Sequence, residues 1–556
     1  MKTRALLEAY NEIRIDKEIS DRCYLFSLLN KQFLFIAPFE DDPTSTPAVY
    51  LYNDSGFDFP HIMLHEEEVL DSEVFPEGKY RWVCLYEHES VVNSLISFED
   101  KTKDAINRLI ELLSMNEVER EKEFQKEFMF YWNSCAIDGK QLQVFLKDDL
   151  LFSKLDAFSG AKLNRVVDHQ MLLSDSESRE KGNRIWTPHV ENDVYYIPIT
   201  DCRNILPPHK GYKWTAEDIE NIVYAPQIEH LDKATFQQIR ETVPKTQNLI
   251  LVFGMIAEKS KVTFAAKIKC NNIRKHTLLE KLLSDIVSVE PLYTQRNDYL
   301  HLNELIGNDI GLLNKKVLLI GAGSLGSYIA FELVKNGVSH LKIYDGDLLE
   351  EANILRWAYG GIGKGTKKAS TVSLLLNLLH PEIKVEAVDA NIEEKDLVKE
   401  LVSVDLIIFT IGSSDQQIKL NRALKGANCS VPVLFVWVEA GGKYSHILKV
   451  DYQKQGCYEC LYTDENGNLV NNRARMGFDQ EQVSAVIRNG CGGTRAVYGT
   501  ATLLRTTAAL LEVLNAIMDG RLVGSLLFDI TPERIIKSKI QFPEEACACC
   551  GTGKRK

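Results

Sequence analysis

Residues 316–347 read KVLLIGAGSLGSYIAFELVKNGVSHLKIYDGD, and this stretch limits the fold more than any other part of the 556-residue chain. An apolar run, Val317, Leu318, Leu319 and Ile320, enters a turn holding Gly321, Gly323 and Gly326. Leu325, Ile329 and Leu333 follow at helical spacing, and a second apolar run stops at Asp345. The pattern predicts strand, turn, helix and strand. In such a unit the glycines let the backbone approach a phosphate, and the helix N-terminus offers unpaired N–H groups to an anion. An acidic residue closing the second strand can bond a ribose hydroxyl. A nucleotide is the natural occupant, and the turn alone suits NAD as well as ATP.

A chain of this length exceeds a single core and predicts about three or four folding units. Its net charge of −13 argues against a general binder of nucleic acid or of anionic membranes, because phosphates would be repelled. Residues 1–16 lack the apolar core of a signal peptide. The longest apolar run, 249–257, is far shorter than the roughly 20 residues a membrane span needs. The expectation is a cytoplasmic protein with neither nucleic acid nor membrane as partner. In that setting the 12 cysteines read as metal ligands, reactive thiols or core residues rather than as disulfides.

Downstream of the turn come residues that a dehydrogenase does not need: Asp347 two places after Asp345, Asn353 and Arg356 in EEANILRW, and Lys368 in GKGTKKAS. A later apolar run, 405–411, leads into GSSD and ends at Asp415. Bringing a carboxylate anion to a polyphosphate requires cations around the phosphates and a carboxylate that holds the bridging metal. Singly, Lys368 or Arg356 is more often a solvated helix face, and a lone Asp after a strand is usually a cap. Together, and in this order, they make residues 314–518 resemble the adenylation domain shared by ubiquitin-activating enzymes and the bacterial ThiF and MoeB proteins. The resemblance implies that Gly321, Gly323 and Gly326 form the ATP loop and that Asp345, with Asp347 beside it, holds the ribose. Asn353, Arg356 and Lys368 would surround the phosphates, and Asp415 would hold Mg2+. It also implies a homodimer, with Arg296 in YTQRNDYL as the arginine lent to a partner protomer's phosphate.

Cys457-Tyr-Glu-Cys460 and Cys547-Ala-Cys549-Cys550 offer two Cys-x-x-Cys knuckles, enough for a closed tetrahedral structural Zn2+ site from Cys457, Cys460, Cys547 and Cys550. Cys549 competes with either neighbour as a ligand. Cys491 stands in RNGCGGTRAVYG ahead of a long helical pattern. A thiol in a polar, Gly-rich loop near a positive helix end has a lowered pKa and is a better nucleophile. Activating enzymes place their thioester-forming cysteine in such a loop.

At the other end, strand-like runs at 23–29, 33–37 and 48–52 precede an irregular stretch and then YRWVCLYE. Ile106, Leu109, Ile110 and Leu113 then recur at helical spacing, and a charged helix with Phe124, Phe128 and Tyr131 on one face runs to Trp132. Meander, cysteine, helix, helix resembles the ubiquitin-conjugating enzymes, with Cys84-Leu85 in place of the reactive Cys-Leu. The family's His-Pro-Asn triplet is missing, and Pro60-His61 is the nearest substitute. Losing one oxyanion donor costs about 2.7–4 kcal/mol, so another group must supply it. The alternative is a strand-core cysteine between Val83 and Leu85. Residues 136–289 carry no motif tied to chemistry and read as a linking domain.

The predicted fold class is therefore α/β: an α+β ubiquitin-conjugating-like domain at 1–140, a mixed α/β linker domain at 141–290 and a Rossmann-like ThiF-type domain at 291–556. As a whole the chain resembles the bacterial ligases associated with CD-NTases in CBASS antiphage operons. That resemblance implies an ATP-dependent ligase that adenylates a protein C-terminus, carries it as a thioester on Cys491 and then Cys84, and delivers it to a target lysine. The substrate it implies is a cGAS/DncV-like nucleotidyltransferase. The alternatives are an adenylyltransferase for a ubiquitin-like sulfur carrier, indifferent to Cys84, and a NAD-binding oxidoreductase, indifferent to Asp415.

Overall fold

The structure, a computed structural model, describes residues 2–54, 59–62, 75–85, 95–136, 141–146, 148–162, 165–174, 186–188, 193–209, 213–224, 230–243, 249–257, 260–270, 286–308, 310–313, 315–380, 382–476, 486–489, 493–543 and 545–551. These fall into two compact units that meet in sequence at Arg296/Asn297.

In the first unit, a short helix, Lys2–Glu8, precedes an antiparallel meander of Ile13–Glu18, Cys23–Leu28, Lys31–Ile36, Ala48–Tyr52 and Tyr80–Trp82. Alternate residues Tyr24, Phe26, Phe33 and Phe35 face the helix Phe98–Ser114, which buries Ala105, Ile106, Leu109 and Leu112 against them. That helix starts where Ser97 accepts the Asp100 N–H. The next helices, Glu117–Lys126 and Phe128–Ser134, do not close this core. Phe128 and Trp132 instead join a second core with Trp214, Phe253 and Phe264.

That second core lies outside a sheet that closes on itself. Its order is Asp193–Pro198, Leu249–Ala257, Ser260–Cys270, Ile286–Arg296, Gln141–Phe145, Arg165–Ser174 and Ser153–Lys162, and Ser153–Lys162 pairs back onto Asp193–Pro198. Successive strand residues point to opposite faces. Leu142, Val144, Leu155, Val194, Tyr196, Ile250, Val252 and Ala265 therefore fill the barrel, while Tyr195, Ile197, Leu251 and Phe253 pack under the helices. A cavity of about 200 Å³ opens among Tyr196, Gly254, Thr263, Asp149, Lys261 and Arg296.

This arrangement corrects the reading of Arg296. Its guanidinium is buried and donates to Asp149 Oδ2 at 2.7 Å, and Lys261 Nζ lies 3.0 Å from the same oxygen. The arginine neutralises a carboxylate inside its own unit, where desolvation would penalise a lone charge.

The second unit is a sheet covered on both faces. Its order is Lys384–Val388, His340–Tyr344, Lys316–Ile320, Leu406–Phe409, Val433–Val438, Ser445–Val450, Leu526–Ile530 and Ile535–Lys537. The first five strands are parallel and the last three antiparallel. Val317, Leu319, Leu406 and Ile408 face the helices Ser324–Lys335 and Thr500–Met518, whereas Leu318, Ile320, Ile407 and Phe409 face Ser414–Gly426. Strands buried on both faces read as continuous apolar runs, which is why the sequence shows them so plainly. The helix Thr500–Met518 is long and apolar enough to cross a membrane by length and composition, and its Leu503, Leu510 and Leu514 are buried in this core.

At the start of this unit His380 stacks on Tyr299 at 4.5 Å, its Nε2 2.6 Å from Asn297 O while its Nδ1 accepts the Glu382 N–H at 3.3 Å. Burial pushes its pKa down to about 4. The unfolded chain takes up this proton near pH 6.5 and the folded chain does not. Stability is therefore expected to fall as pH drops from about 6.5 to about 4, by at most about 3 kcal/mol from this residue. Thermal melts across that range check it: the slope should flatten in His380→Gln.

Candidate active site

The strand order of the second unit reverses between Lys316–Ile320 and Leu406–Phe409. In an open parallel sheet the ligand crevice lies at the carboxyl ends of the strands beside such a reversal. The glycine turn leaves one of these strands and the segment leading to Asp415 leaves the other.

Gly321 has φ +103°, a conformation L side chains rarely adopt. A Cβ on Gly326 would sit 2.0 Å from Gly321 O, so only glycine lets the helix Ser324–Lys335 start this close to the turn. By contrast, a Cβ on Gly323 or on Gly412 would meet nothing within 4 Å. The two strand exits thus face open space while their backbones are tied together: Thr410 Oγ1 donates to Gly321 O at 2.8 Å. Gly326→Ala is expected to lower stability by about 1–3 kcal/mol and to weaken ATP binding, since the obstacle is backbone that cannot rotate away. Calorimetric melts and ATP titration check both.

The acidic and basic candidates form one connected network. Asp345, nearly buried at the end of His340–Tyr344, accepts the Ala322 N–H at 2.7 Å and, through its other oxygen, the Asp347 N–H at 2.9 Å. Burial raises its pKa, against the pull of those two N–H bonds. Asp347 accepts Lys368 Nζ at 3.0 Å and, through its carbonyl, the Lys368 N–H. Lys368 itself is only 6% exposed, which is not how a solvated helix lysine sits. The short helix Glu351–Arg356, which carries Asn353, leads into Trp357, whose indole N–H donates to Ala322 O at 2.9 Å. Arg356 donates to Ala496 O at 3.1 Å and lies 4.7 Å from the Tyr498 ring centre. It therefore joins the nucleotide face to the segment following residue 495. Asp415 is exposed on the first turn of Ser414–Gly426, where Ser413 caps the helix by accepting the Gln416 N–H.

These donors fit ATP with Mg2+. Open space over Gly323, a carboxylate at the ribose position, a buried lysine and an exposed carboxylate across the strand reversal are what phosphates and their metal require.

The cysteine pairs converge. The ligand atoms of Cys457, Cys460, Cys547 and Cys550 all lie within 4.8 Å of one another, and all four residues are buried. Cys457 Sγ is 3.9 Å from Cys460 and 3.8 Å from Cys547, and Cys460 is 3.3 Å from Cys550. Tetrahedral thiolates about 2.3 Å from zinc stand about 3.8 Å apart, so the set fits that ion. Contact with Cys457 holds the Cys547 thiol down and pushes those of Cys460 and Cys550 up. Cys549 is not part of this set of four, and its sulfur accepts from Asn421 Nδ2 at 3.2 Å. The knuckle also braces the helix that begins beside Asp415: Arg422 makes a two-pronged bond to Glu459, 2.8 Å on each side, and Tyr462 Oη donates to Ser414 Oγ at 2.8 Å.

Cys491 lies outside the described residues, between the paired strands Val486–Asn489 and Gly493–Ala496. In the first unit, Cys84 follows the strand Tyr80–Trp82 and is half-buried, unlike its neighbour Val83 in the core. Its N–H donates to His61 O at 2.8 Å. The His61 ring sits between Glu127, 2.9 Å from Nδ1, and Glu123, 3.4 Å from Nε2. Burial opposes the charged imidazolium, but the two carboxylates prevail and the pKa rises. Tyr131 Oη accepts the His61 N–H at 2.8 Å. Sequence reasoning passed over Tyr131, Glu123 and Glu127 at this site, since helical spacing marks Tyr131 only as core.

Residues 305–542 match the ThiF family model. The SAMP-activating enzyme E1 of Haloferax volcanii is 29% identical over 244 residues, covering 44% of this chain and 82% of that protein. Ubiquitin-like modifier-activating enzyme 5 of Caenorhabditis elegans is 23% identical over 198 residues, 33% of this chain and 45% of that protein. The uncharacterized protein y4oA of Sinorhizobium fredii is 44% identical over 177 residues, 29% of each chain. Against the last two, the chain spans less than half of their length. Among solved structures, Escherichia coli MccB with SeMet MccA aligns at 18% identity with a TM-score of 0.34, covering 43% of this chain and 67% of that one.

Proposed function

From the premise that the C-terminal unit carries a ThiF-type Rossmann-like domain, we propose that the chain uses ATP and Mg2+ to activate a protein's C-terminal carboxylate and passes the acyl group through Cys491 and Cys84 to an amine. The observation that carries this reading is the network of Ala322, Asp345, Asp347 and Lys368 around the glycine turn, facing Asp415 across the strand reversal.

A carboxylate oxygen of the substrate attacks the α-phosphorus of ATP, the bond to the bridging oxygen breaks and pyrophosphate leaves. The N–H groups at the start of Ser324–Lys335 and the Lys368 ammonium would offset charge on the phosphates, Asp345 would receive the ribose hydroxyls, and Asp415 would hold Mg2+, which would supply further positive charge to the pyrophosphate. The Cys491 thiolate then attacks the acyl carbon, a C–S bond forms and AMP departs. Exchange onto the Cys84 thiol regenerates the Cys491 thiol. Attack by a lysine amine then breaks the second thioester and forms the amide, with the amine proton released to solvent. Each transfer exchanges one activated acyl group for another, which lowers every barrier separately.

The helix, meander and half-buried Cys84 ahead of Phe98–Ser114 support the ubiquitin-conjugating-like half of this reading. By resemblance to the CD-NTase-associated ligases, the substrate is a cGAS/DncV-like nucleotidyltransferase and the working form a homodimer.

The test incubates the full chain with ATP and such a nucleotidyltransferase and follows DTT-sensitive adducts. Cys491→Ala is expected to abolish all adducts, and Cys84→Ala to retain the one on Cys491 while losing the amide product. An adduct unchanged in Cys84→Ala, with no amide product in the wild type or the variant, would instead point to an adenylyltransferase serving a sulfur carrier.

A further inference from the structure

The barrel of the first unit has an open mouth. Tyr196, Val252 and Ala265 point into the barrel, and side chains alternate along a strand, so Pro198, Gly254, Ile256 and Lys261 share that inward face. They sit where Asp193–Pro198 and Leu249–Ala257 finish and Ser260–Cys270 begins, which is one end of the barrel. With Asp149 and Arg296 they wall the cavity of about 200 Å³. A cavity of about 150 Å³ can hold a benzene-sized molecule and drug-sized ligands need about 300–1,000 Å³, so an occupant here is small. The mouth of a small closed barrel is a recurrent place for one such ligand.

The walls are built around Asp149. A Cβ on Gly254 would stand 2.0 Å from Tyr196 Oη, so the missing side chain lets the tyrosine lie across the strand. From there Tyr196 Oη donates to Asp149 O at 2.7 Å and ties the loop after Gln141–Phe145 to the barrel. The two ion pairs of the Asp149 side chain, with Arg296 Nη1 at 2.7 Å and Lys261 Nζ at 3.0 Å, both fall on Oδ2. Its Oδ1 has no hydrogen bond among the described residues, although the side chain is only 10% exposed. Burial opposes the charge of this carboxylate, but Arg296 and Lys261 prevail and lower its pKa. An ionised oxygen held this far from water calls for a donor.

We propose that the barrel mouth binds a small zwitterion with an apolar side chain, an aliphatic α-amino acid. Its ammonium donates to Asp149 Oδ1, its carboxylate faces Lys261 and Arg296, and its side chain lies against Pro198 and Ile256. A simple cation would be repelled by the two basic groups, and a simple anion would bring Oδ1 no donor. The site uses none of the residues assigned to adenylation or to the acyl relay, so it stands whether or not that reading holds.

The test is isothermal titration of the full chain with L-leucine, with 4-methylpentanoate, which lacks the ammonium, and with 3-methylbutylamine, which lacks the carboxylate. Leucine is expected to bind at one site per chain and at least about 10-fold more tightly than either analogue, since each analogue loses a charge-assisted hydrogen bond. Two variants place the site. Lys261→Met removes one cation and leaves Arg296 on Asp149. Ile256→Glu, on the exposed rim, sets a carboxylate beside Lys261, its cross-strand partner. Each is expected to weaken leucine binding at least about 10-fold, with melting curves showing a folded protein. Leucine bound as tightly by both variants as by the wild type overturns the proposal, and so does either analogue binding as tightly as leucine. No heat of binding from leucine up to millimolar concentration overturns it as well, and the cavity then holds water only.

Discussion

If the four sulfurs hold zinc, Cys457→Ser is expected to leave the protein without stoichiometric metal and to lower its melting temperature by at least about 10 °C. A structural zinc contributes on the order of 10 kcal/mol, comparable to the whole stability of an ordinary domain, so removing one ligand leaves this unit marginal. The loss reaches further than the knuckle. Cys457, Cys460, Cys547 and Cys550 belong to the core shared with Phe409, Leu420 and Phe435, and Glu459 and Tyr462 hold the helix whose first turn carries Asp415. Pyrophosphate exchange should therefore fall together with zinc content. Cys549→Ser is the control. Cys549 lies outside the four sulfurs that sit within 4.8 Å of one another, so zinc content by elemental analysis and the calorimetric melt should stay close to wild type. Zinc lost from Cys549→Ser and kept in Cys457→Ser would contradict the assigned ligand set.

Asp415→Asn is expected to do the opposite, leaving stability nearly unchanged and activity greatly reduced. Asp415 is exposed, and its contribution to folding is the interaction of an acidic side chain with a helix N-terminus, about 0.3–1 kcal/mol. If it holds the metal that bridges the phosphates, its loss should slow adenylation about 100- to 1000-fold, the range seen when one preorganised charge-stabilising group is removed. Melting temperature and pyrophosphate exchange, measured on the same preparation, separate the two effects. An oxidoreductase using only the glycine turn and Asp345 would bind NAD and be indifferent to this change.

How much of this was legible depends on how far apart the interacting residues are in sequence. The glycine turn, Asp345 and the helix after them were visible because a strand, turn and helix are local, and because doubly buried strands leave uninterrupted apolar runs. The two Cys-x-x-Cys pairs were visible as a ligand set, but that Cys550 rather than Cys549 joins it emerges only where Cys460 and Cys550, 90 positions apart, meet. Arg296 was misread for the same reason: its partner Asp149 lies 147 positions away, across a barrel closed by pairings between distant strands. Phe128 and Trp132 showed helical spacing but not which core the helix would join. His446 inside Ser445–Val450, Asp529 inside Leu526–Ile530 and Glu439 just past the end of Val433–Val438 meet in this unit, His446 Nδ1 on Asp529 and Nε2 on Glu439, and they left a weaker trace, as polar residues in or beside apolar strands. Such an interruption implies a buried partner, though not which one.

The measurement that bears most directly on the central claim is isotope exchange between labelled pyrophosphate and ATP, with the full chain and a cGAS/DncV-like nucleotidyltransferase carrying either its intact C-terminus or a truncated one. Activation of a carboxylate at the glycine turn predicts that label enters ATP only with the intact C-terminus, and that Asp415→Asn suppresses it about 100-fold or more. Exchange that proceeds equally with the truncated protein, or that survives in Asp415→Asn, would contradict it.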